Sequence, residues 1–310
     1  MTAVVIVLTI NLMADQSHDE LKARISQLEK EVSHREQDLK VFREELAVAN
    51  QQLEKLIAGI QHDLKLSQAI QKALVPTELP NIQGIEFSSK FVPSPVKGGD
   101  YFDIFEHEDR AKFGMIVAGS SGHAMSALLL SVLLKLTGQM EARKGSEPHV
   151  VVQLMVNELA PHIEVGESAD VFYGMFNRRD FVLSYCRVGE VVALVQEYGS
   201  GELKALTTVG GPIEKGFNAA LESATVALNP RDRLIFCTPG VVNATNLQGE
   251  PFGQDRLFKA ILNAPERGVH ELRNEVLYQV QNYLGGQAPP RDLTVVVAEV
   301  KDRVIKLAKS

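Results

Sequence analysis

The sequence has no tryptophan, only two cysteines, and aromatic residues at just 6% of its 310 positions. Each shortage excludes something. Cys186 and Cys237 each sit inside an apolar run, with no C-x-x-C and no Cys/His cluster. That rules out a disulfide scaffold and the usual zinc-ligand spacings. The two read as buried free thiols in a reducing cytoplasm. Scarce aromatics imply an aliphatic core. Long apolar runs are missing too. The uncharged segment at residues 1–14, MTAVVIVLTINLMA, is shorter than the roughly 20 residues a bilayer span needs. It also lacks the basic residues that precede a secretory apolar stretch. Two readings of it stand: Met13 as the working start, which is favoured, or a weak membrane-associating segment. No dense Lys/Arg stripe occurs, and the net charge is −7, so nucleic-acid binding is disfavoured. Apolar residues at 45% and charged residues at 23% are ordinary for a soluble protein.

Proline is absent from His18 to Leu74, and Gly59 is the one glycine there. Ile25, Val32, Leu39, Leu46, Leu53 and Ile60 recur at intervals of seven. A second series, Leu21, Leu28, Arg35, Phe42, Ala49 and Leu56, is apolar except at Arg35. Interleaved apolar series at heptad spacing form the a/d seam of a coiled coil. A lone helix of this kind has no core of its own, so the expectation is a parallel homodimer through residues 21–60. Asp63 and Ser67 fall on the continued seam, where the coil should loosen. The alternative is an amphipathic helix lying on its own domain.

After Pro76 the pattern changes to short apolar runs separated by turn signals, with helical stretches at Met125–Ala142, Val150–Leu159, Gln254–Asn263 and Val269–Leu284. The strand-like runs are Ile85–Val92, Phe113–Val117, Val171–Phe176, Phe181–Val188, Val191–Val195, Ala224–Leu228, Leu234–Cys237 and Leu293–Val300. Hairpin order without regular βαβ alternation indicates an α+β protein with antiparallel sheets. The organisation expected is an apolar segment at 1–14, a coiled-coil helix at 15–75, a linker at 76–84, a domain at 85–301 and a tail at 302–310. No P-loop, dinucleotide fingerprint or G-x-S-x-G elbow occurs.

What does occur is an ordered set of small motifs. These are Gly98-Gly99-Asp100-Tyr101-Phe102-Asp103, Ser121-Gly122-His123-Ala124, Gly210-Gly211-Pro212, the run Leu228–Leu234 leading into Ile235–Val241, and Asp292-Leu293-Thr294. Ahead of them stands Gln68–Pro76. In order and spacing the chain resembles, over about residues 65–300, the metal-dependent serine/threonine phosphatases of type 2C (the PPM family). The match is to the bacterial branch of the stage II sporulation and stress-sigma-factor regulatory phosphatases. The resemblance implies a four-layer αββα sandwich, two antiparallel sheets flanked by helices. It also implies a site for two Mn or Mg ions held by four Asp positions, where a metal-activated hydroxide attacks a phosphoserine or phosphothreonine.

Read at those four positions, this chain has Asp100, Gly119, Pro239 and Arg291, so three of the four carboxylates are missing. The neighbouring Asp292 survives. Two dications held by so few carboxylates, beside a guanidinium, leave positive charge uncompensated. Ser121, Gly122 and Asp292 have structural explanations, and His123 reads as a surface or turn residue. The resemblance therefore implies a pseudophosphatase with no catalytic residues and no metal, binding a signalling partner of the partner-switching kind. That partner would be an anti-sigma antagonist or another phosphoprotein regulator. The alternative is a metal-dependent phosphatase with a rearranged site of Asp100, Asp103 and Asp292, using Mn or Mg. A third reading makes the coil the functional part and the domain inert. In the empty centre, Arg291 is expected either to pair with Asp100, and with Asp103, or to point into solvent.

Overall fold

The computed structural model describes residues 2–76, 78–95, 97–122, 132–133, 135–136, 142 and 144–301. The chain divides into two units, Met1–Asp63 and Leu64–Ser310. The division falls at the residue where the heptad seam meets Asp63. A single helix, α1, runs from Thr2 to Leu74. It takes in the segment that the sequence sets apart, because no proline or glycine interrupts residues 2–58. β-branched residues such as Val4 and Ile6 lower helix propensity only by tenths of a kcal/mol each, roughly. The apolar seam residues from Leu21 to Ile60 lie open, between 43% and 67% exposed. No described helix is long and apolar enough to cross a membrane.

The second unit holds two antiparallel five-stranded sheets. One has the order β1 (Ile85–Val92), β10 (Leu293–Val300), β9 (Arg233–Cys237), β6 (Val192–Gln196) and β7 (Leu203–Ala205). The other has the order β2 (Tyr101–Glu106), β3 (Lys112–Ser120), β4 (Ala169–Asn177), β5 (Val182–Val188) and β8 (Ala224–Ala227). Among the described residues its α-helices include α2 (Pro148–Leu159), α3 (Pro239–Val242), α4 (Gly253–Asn263) and α5 (Val269–Leu284). Strand alternation builds the layers. In β10, Val296, Ala298 and Val300 face the inter-sheet core, while Val295 and Val297 meet α4 and α5. A strand covered on both faces reads as a nearly continuous apolar run, here LTVVVAEV, interrupted by Thr294 and Glu299. Helix α5 presents Val269, Leu272, Val276 and Val280 at helical spacing and stops at Gly285, which adopts the left-handed conformation. On the other side, Val151, Val152, Met155 and Leu159 of α2 cover Ile116, Val171 and Tyr173.

The core is mainly aliphatic, as the scarcity of aromatics implies, but the layer between the sheets also buries Phe102, Phe113, Phe172, Phe176 and Phe236. Phe172 and Phe236 bridge the sheets with ring centroids 4.8 Å apart. Aromatics are few but concentrated, and their rings fill a space that aliphatic side chains would fill less completely. Strands β2 and β7 and the short helix α3 do not show in the sequence pattern. The helix expected at 125–142 falls largely outside the described residues, as do His123 and Ala124. Cys186 and Cys237 are free and buried, and burial pushes their thiols up to about 11 and about 12.

Candidate functional site

Asp100 immediately precedes β2 and faces the other sheet. Its Oδ2 accepts hydrogen bonds from the Thr238 hydroxyl (2.5 Å) and the Thr294 hydroxyl (2.7 Å). The Thr294 N–H in turn donates to Thr238 Oγ1 at 3.0 Å, so the two threonines are locked to each other. Burial, then the nearby Asp292 charge, push the Asp100 carboxyl well above the usual carboxylate range, against the hydroxyl bonds and Arg291. Asp292 is tied by backbone donors: Ser94 N–H to Oδ1 at 2.7 Å and Asp100 N–H to Oδ2 at 3.3 Å. Burial lifts it to about 6, with those two bonds and Arg291 acting the other way. The Asp292 carboxyl occupies the space beside Gly98, where an added methyl group would lie 2.1 Å from its Cγ. The Gly-Gly-Asp motif thus requires a glycine for steric reasons.

Gly119 and Pro239 close the same centre. A methyl group on Gly119 would stand 3.0 Å from Asp100 Oδ1 and 3.2 Å from Pro239 Cδ. One on Gly240 would stand 1.9 Å from the Asp292 carbonyl oxygen and 3.4 Å from Arg291 Cβ. The structure therefore brings Asp100, Gly119, Pro239, Arg291 and Asp292 together. Arg291 does not bond to Asp100. Among the described residues it has no ion pair within 4.0 Å and no hydrogen bond, although its charge acts on Asp100, Asp170 and Asp292. Threonine hydroxyls satisfy Asp100 where a guanidinium was expected.

Asp103 is excluded by strand parity. Phe102 and Ile104 face the inter-sheet core, whereas Tyr101 and Phe105 face the helix layer. Asp103 shares the latter face. Its Oδ2 accepts from the Tyr101 hydroxyl at 3.1 Å and its Oδ1 from the Ile104 N–H at 2.9 Å. Hence Asp100, Asp103 and Asp292 cannot form one three-carboxylate site.

Asp170 is the residue the sequence does not reveal. It pairs with Gly119 across β3 and β4 and is 2% exposed. Its Oδ1 accepts the Glu190 N–H at 2.9 Å, and Gly189 leaves it room. Burial raises its carboxyl to about 6, against that hydrogen bond and the charges of Arg291 and Arg187. Continuing the strand register by one step, Asp100, Gly119, Asp170 and Gly189 form a row across β2 to β5 in which carboxylate and glycine alternate. The sequence signal is an acidic residue opening an apolar run, but its place in the row depends on cross-strand register.

These donors do not fit a pair of divalent cations, which need several free oxygen ligands. Both Asp292 oxygens are engaged by N–H groups, Asp100 Oδ2 by two hydroxyls, and positions 119, 239 and 291 supply no carboxylate. Among the described residues no group of three or more His, Cys, Asp or Glu side chains is placed to hold an ion.

Comparison with known proteins agrees with the two-sheet fold. Residues 109–301 match the family described as Stage II sporulation protein E (SpoIIE). The chain is 23% identical over 248 residues to the phosphoserine phosphatase RsbP of Bacillus subtilis, covering 78% of this chain and 58% of that protein. It is 21% identical to the phosphoserine phosphatase RsbU of the same organism, over 43% of this chain and 40% of that one. It thus spans little more than half of RsbP and less of RsbU. Among solved structures, the SiaA-PP2C domain of Pseudomonas aeruginosa superposes with a TM-score of 0.62 at 18% identity, over 78% of this chain and 96% of that one. The PP2C phosphatase domain of SpoIIE from Bacillus subtilis, with a fragment of its regulatory domain, gives 0.59 at 13% identity, over 70% and 63%. Because the matched segment takes up more than half of the sequence and its two sheets form the matching sandwich, the chain belongs to the SpoIIE family of PPM-type phosphatase domains.

Proposed function

We propose that this chain is a regulatory binding protein, a pseudophosphatase that captures a phosphoprotein partner in the cytoplasm and dimerises through the heptad seam of α1. The observation that carries this reading is the Asp100 centre. Its surviving carboxylates are engaged by threonine hydroxyls and backbone N–H groups, and Arg291 stands at a position where the family has an Asp. Without metal ligands the centre has no means of lowering the pKa of water to make a nucleophile at neutral pH. The naming of RsbP and RsbU as phosphoserine phosphatases supports a partner that carries phosphoserine, of the anti-sigma-antagonist type. The open apolar face of residues 21–60 supports a second copy of the chain as the coil's occupant.

The test is turnover of a phosphoserine peptide and of p-nitrophenyl phosphate by the full chain, with Mn or Mg titrated to millimolar concentration. No metal-stimulated release of phosphate is expected. Turnover that rises with metal and disappears in Asp100→Asn would overturn the proposal.

A further inference from the structure

The charges that flank the α1 seam form a pattern of their own. Take the series from Ile25 to Ile60 as a and the series from Leu21 to Leu56, which contains Arg35, as d. The flanking e positions then hold Lys22, Glu29, Glu36 and Arg43, and the flanking g positions hold Arg24, Glu31, Asp38 and Glu45. In a coiled coil these positions set partner choice and orientation. All eight side chains are exposed. On its own helix Arg24 bonds to Gln27, Glu31 accepts from Arg35, and Asp38 lies 3.7 Å from His34. Among the described residues, Glu29, Glu36 and Arg43 have no ion pair or side-chain hydrogen bond.

Two orientations of a second copy differ in what these charges meet. In a parallel pair, each g residue meets the e residue of the following heptad on the other helix. Arg24 then faces Glu29, and Asp38 faces Arg43, both of opposite sign. Glu31 faces Glu36, a meeting of like charges. Reversing one helix sets the g series against itself. Its members from 31 to 45 are Glu31, Asp38 and Glu45, all acidic, so every meeting among them is repulsive.

Arg35 stands at the one like-charged meeting of the parallel pair. A d side chain there packs into a hole bordered by the neighbouring e residue of the other helix, which is Glu36. On its own helix, Arg35 Nη2 donates to Glu31 Oε1 at 2.9 Å. A guanidinium has donors enough for two carboxylates. The residue that interrupts the apolar seam is therefore placed to join the two acids that would otherwise repel. A slip of one heptad would bring Arg35 of one copy against Arg43 of the other.

We propose that α1 binds a second copy of this chain in parallel and in register, and that Arg35 of each copy bridges its own Glu31 to Glu36 of the other. The inference rests on the proposed pairing of α1 and adds the orientation, the register and the residue that sets them.

The experiment uses the full chain. Ala58 is exposed and lies at f, away from the seam, and Cys186 and Cys237 are buried. A nitroxide is attached to Ala58→Cys, and the distance between labels is read by pulsed dipolar spectroscopy. A separation of about 30 Å is expected, set by two helices side by side with their labels outward. A reversed copy would place residue 58 opposite residue 23, parting the labels by about 50 Å along the axis. Arg35→Glu should weaken the dimer by about tenfold in sedimentation equilibrium. Adding Glu31→Lys and Glu36→Lys rebuilds the layer with its signs exchanged and should recover most of that loss, which a purely apolar seam would not do. A dimeric parent with labels about 50 Å apart, or a triple variant as weak as Arg35→Glu alone, would overturn this inference and leave the pairing standing. A monomeric parent would overturn both.

Discussion

At the scale of single residues, the most consequential feature is a set of carboxyl groups buried without a full cation partner. Asp170 shows what this costs. Burial lifts it from the ordinary value of 3.8 to about 6, so the folded state holds the proton more tightly than the unfolded chain. Its contribution to stability is fully present below about pH 4 and is lost as pH rises to about 6. Asp170→Asn keeps an acceptor for the Glu190 N–H and removes the charge. Two pH units correspond to about 3 kcal/mol, so the variant should gain up to that amount at pH 7.5 and almost nothing at pH 4. Urea denaturation at the two pH values checks this, and a variant less stable than the parent at pH 7.5 would refute it. Gly98 makes a steric prediction. Gly98→Ala drives a methyl group into the Asp292 carboxyl, displacing it from the Ser94 and Asp100 N–H groups, and should cost about 2–4 kcal/mol. Gly211→Ala, with nothing within 4 Å of the added carbon, is the control and should stay within about 0.5 kcal/mol.

Among the elements, α1 carries the clearest expectation. Leu39→Asp with Leu46→Asp places charge in the seam and should yield monomers by light scattering, where the proposed pairing of α1 should make the parent a dimer. Arg35, which bonds to Glu31 on its own helix at 2.9 Å, is the one polar residue in the two seam series. A polar seam residue fixes register at a cost in stability, so Arg35→Leu should raise the coil's melting temperature, read by circular dichroism. Elements with both an apolar run and a turn signal at each end were legible in the sequence. Strands β1 and β10 and helix α5 begin and end where the pattern places them. Strand β2 was hidden because Tyr101-Phe102-Asp103 reads as the tail of a glycine motif and Asp103 puts a charge inside the strand. Strand β7 has only three residues, too short for any period to emerge. For the site, the convergence of positions 100, 119, 239 and 291 was legible through motif order. The threonine clamp on Asp100 and the place of Asp170 were not, because both depend on strand register between segments far apart in sequence.

Taken whole, the second unit is a sandwich whose first end, around Asp100, gathers the buried carboxylates Asp100, Asp170 and Asp292. The first end can be tested as a unit. Gly119→Asp, Pro239→Asp and Arg291→Asp together should create Mn binding detectable by calorimetry, whereas each substitution alone leaves too few ligands and should not. Binding of Mn by the parent protein would contradict this. The two cysteines add a built-in instrument. Cys237 sits under the layer of α4 and α5, and Cys186 under the layer of α2. A thiol reagent can reach either sulfur only when its own covering layer lifts, so the two labelling rates clock two separate openings. Partner capture that braces one layer will slow one clock and leave the other running.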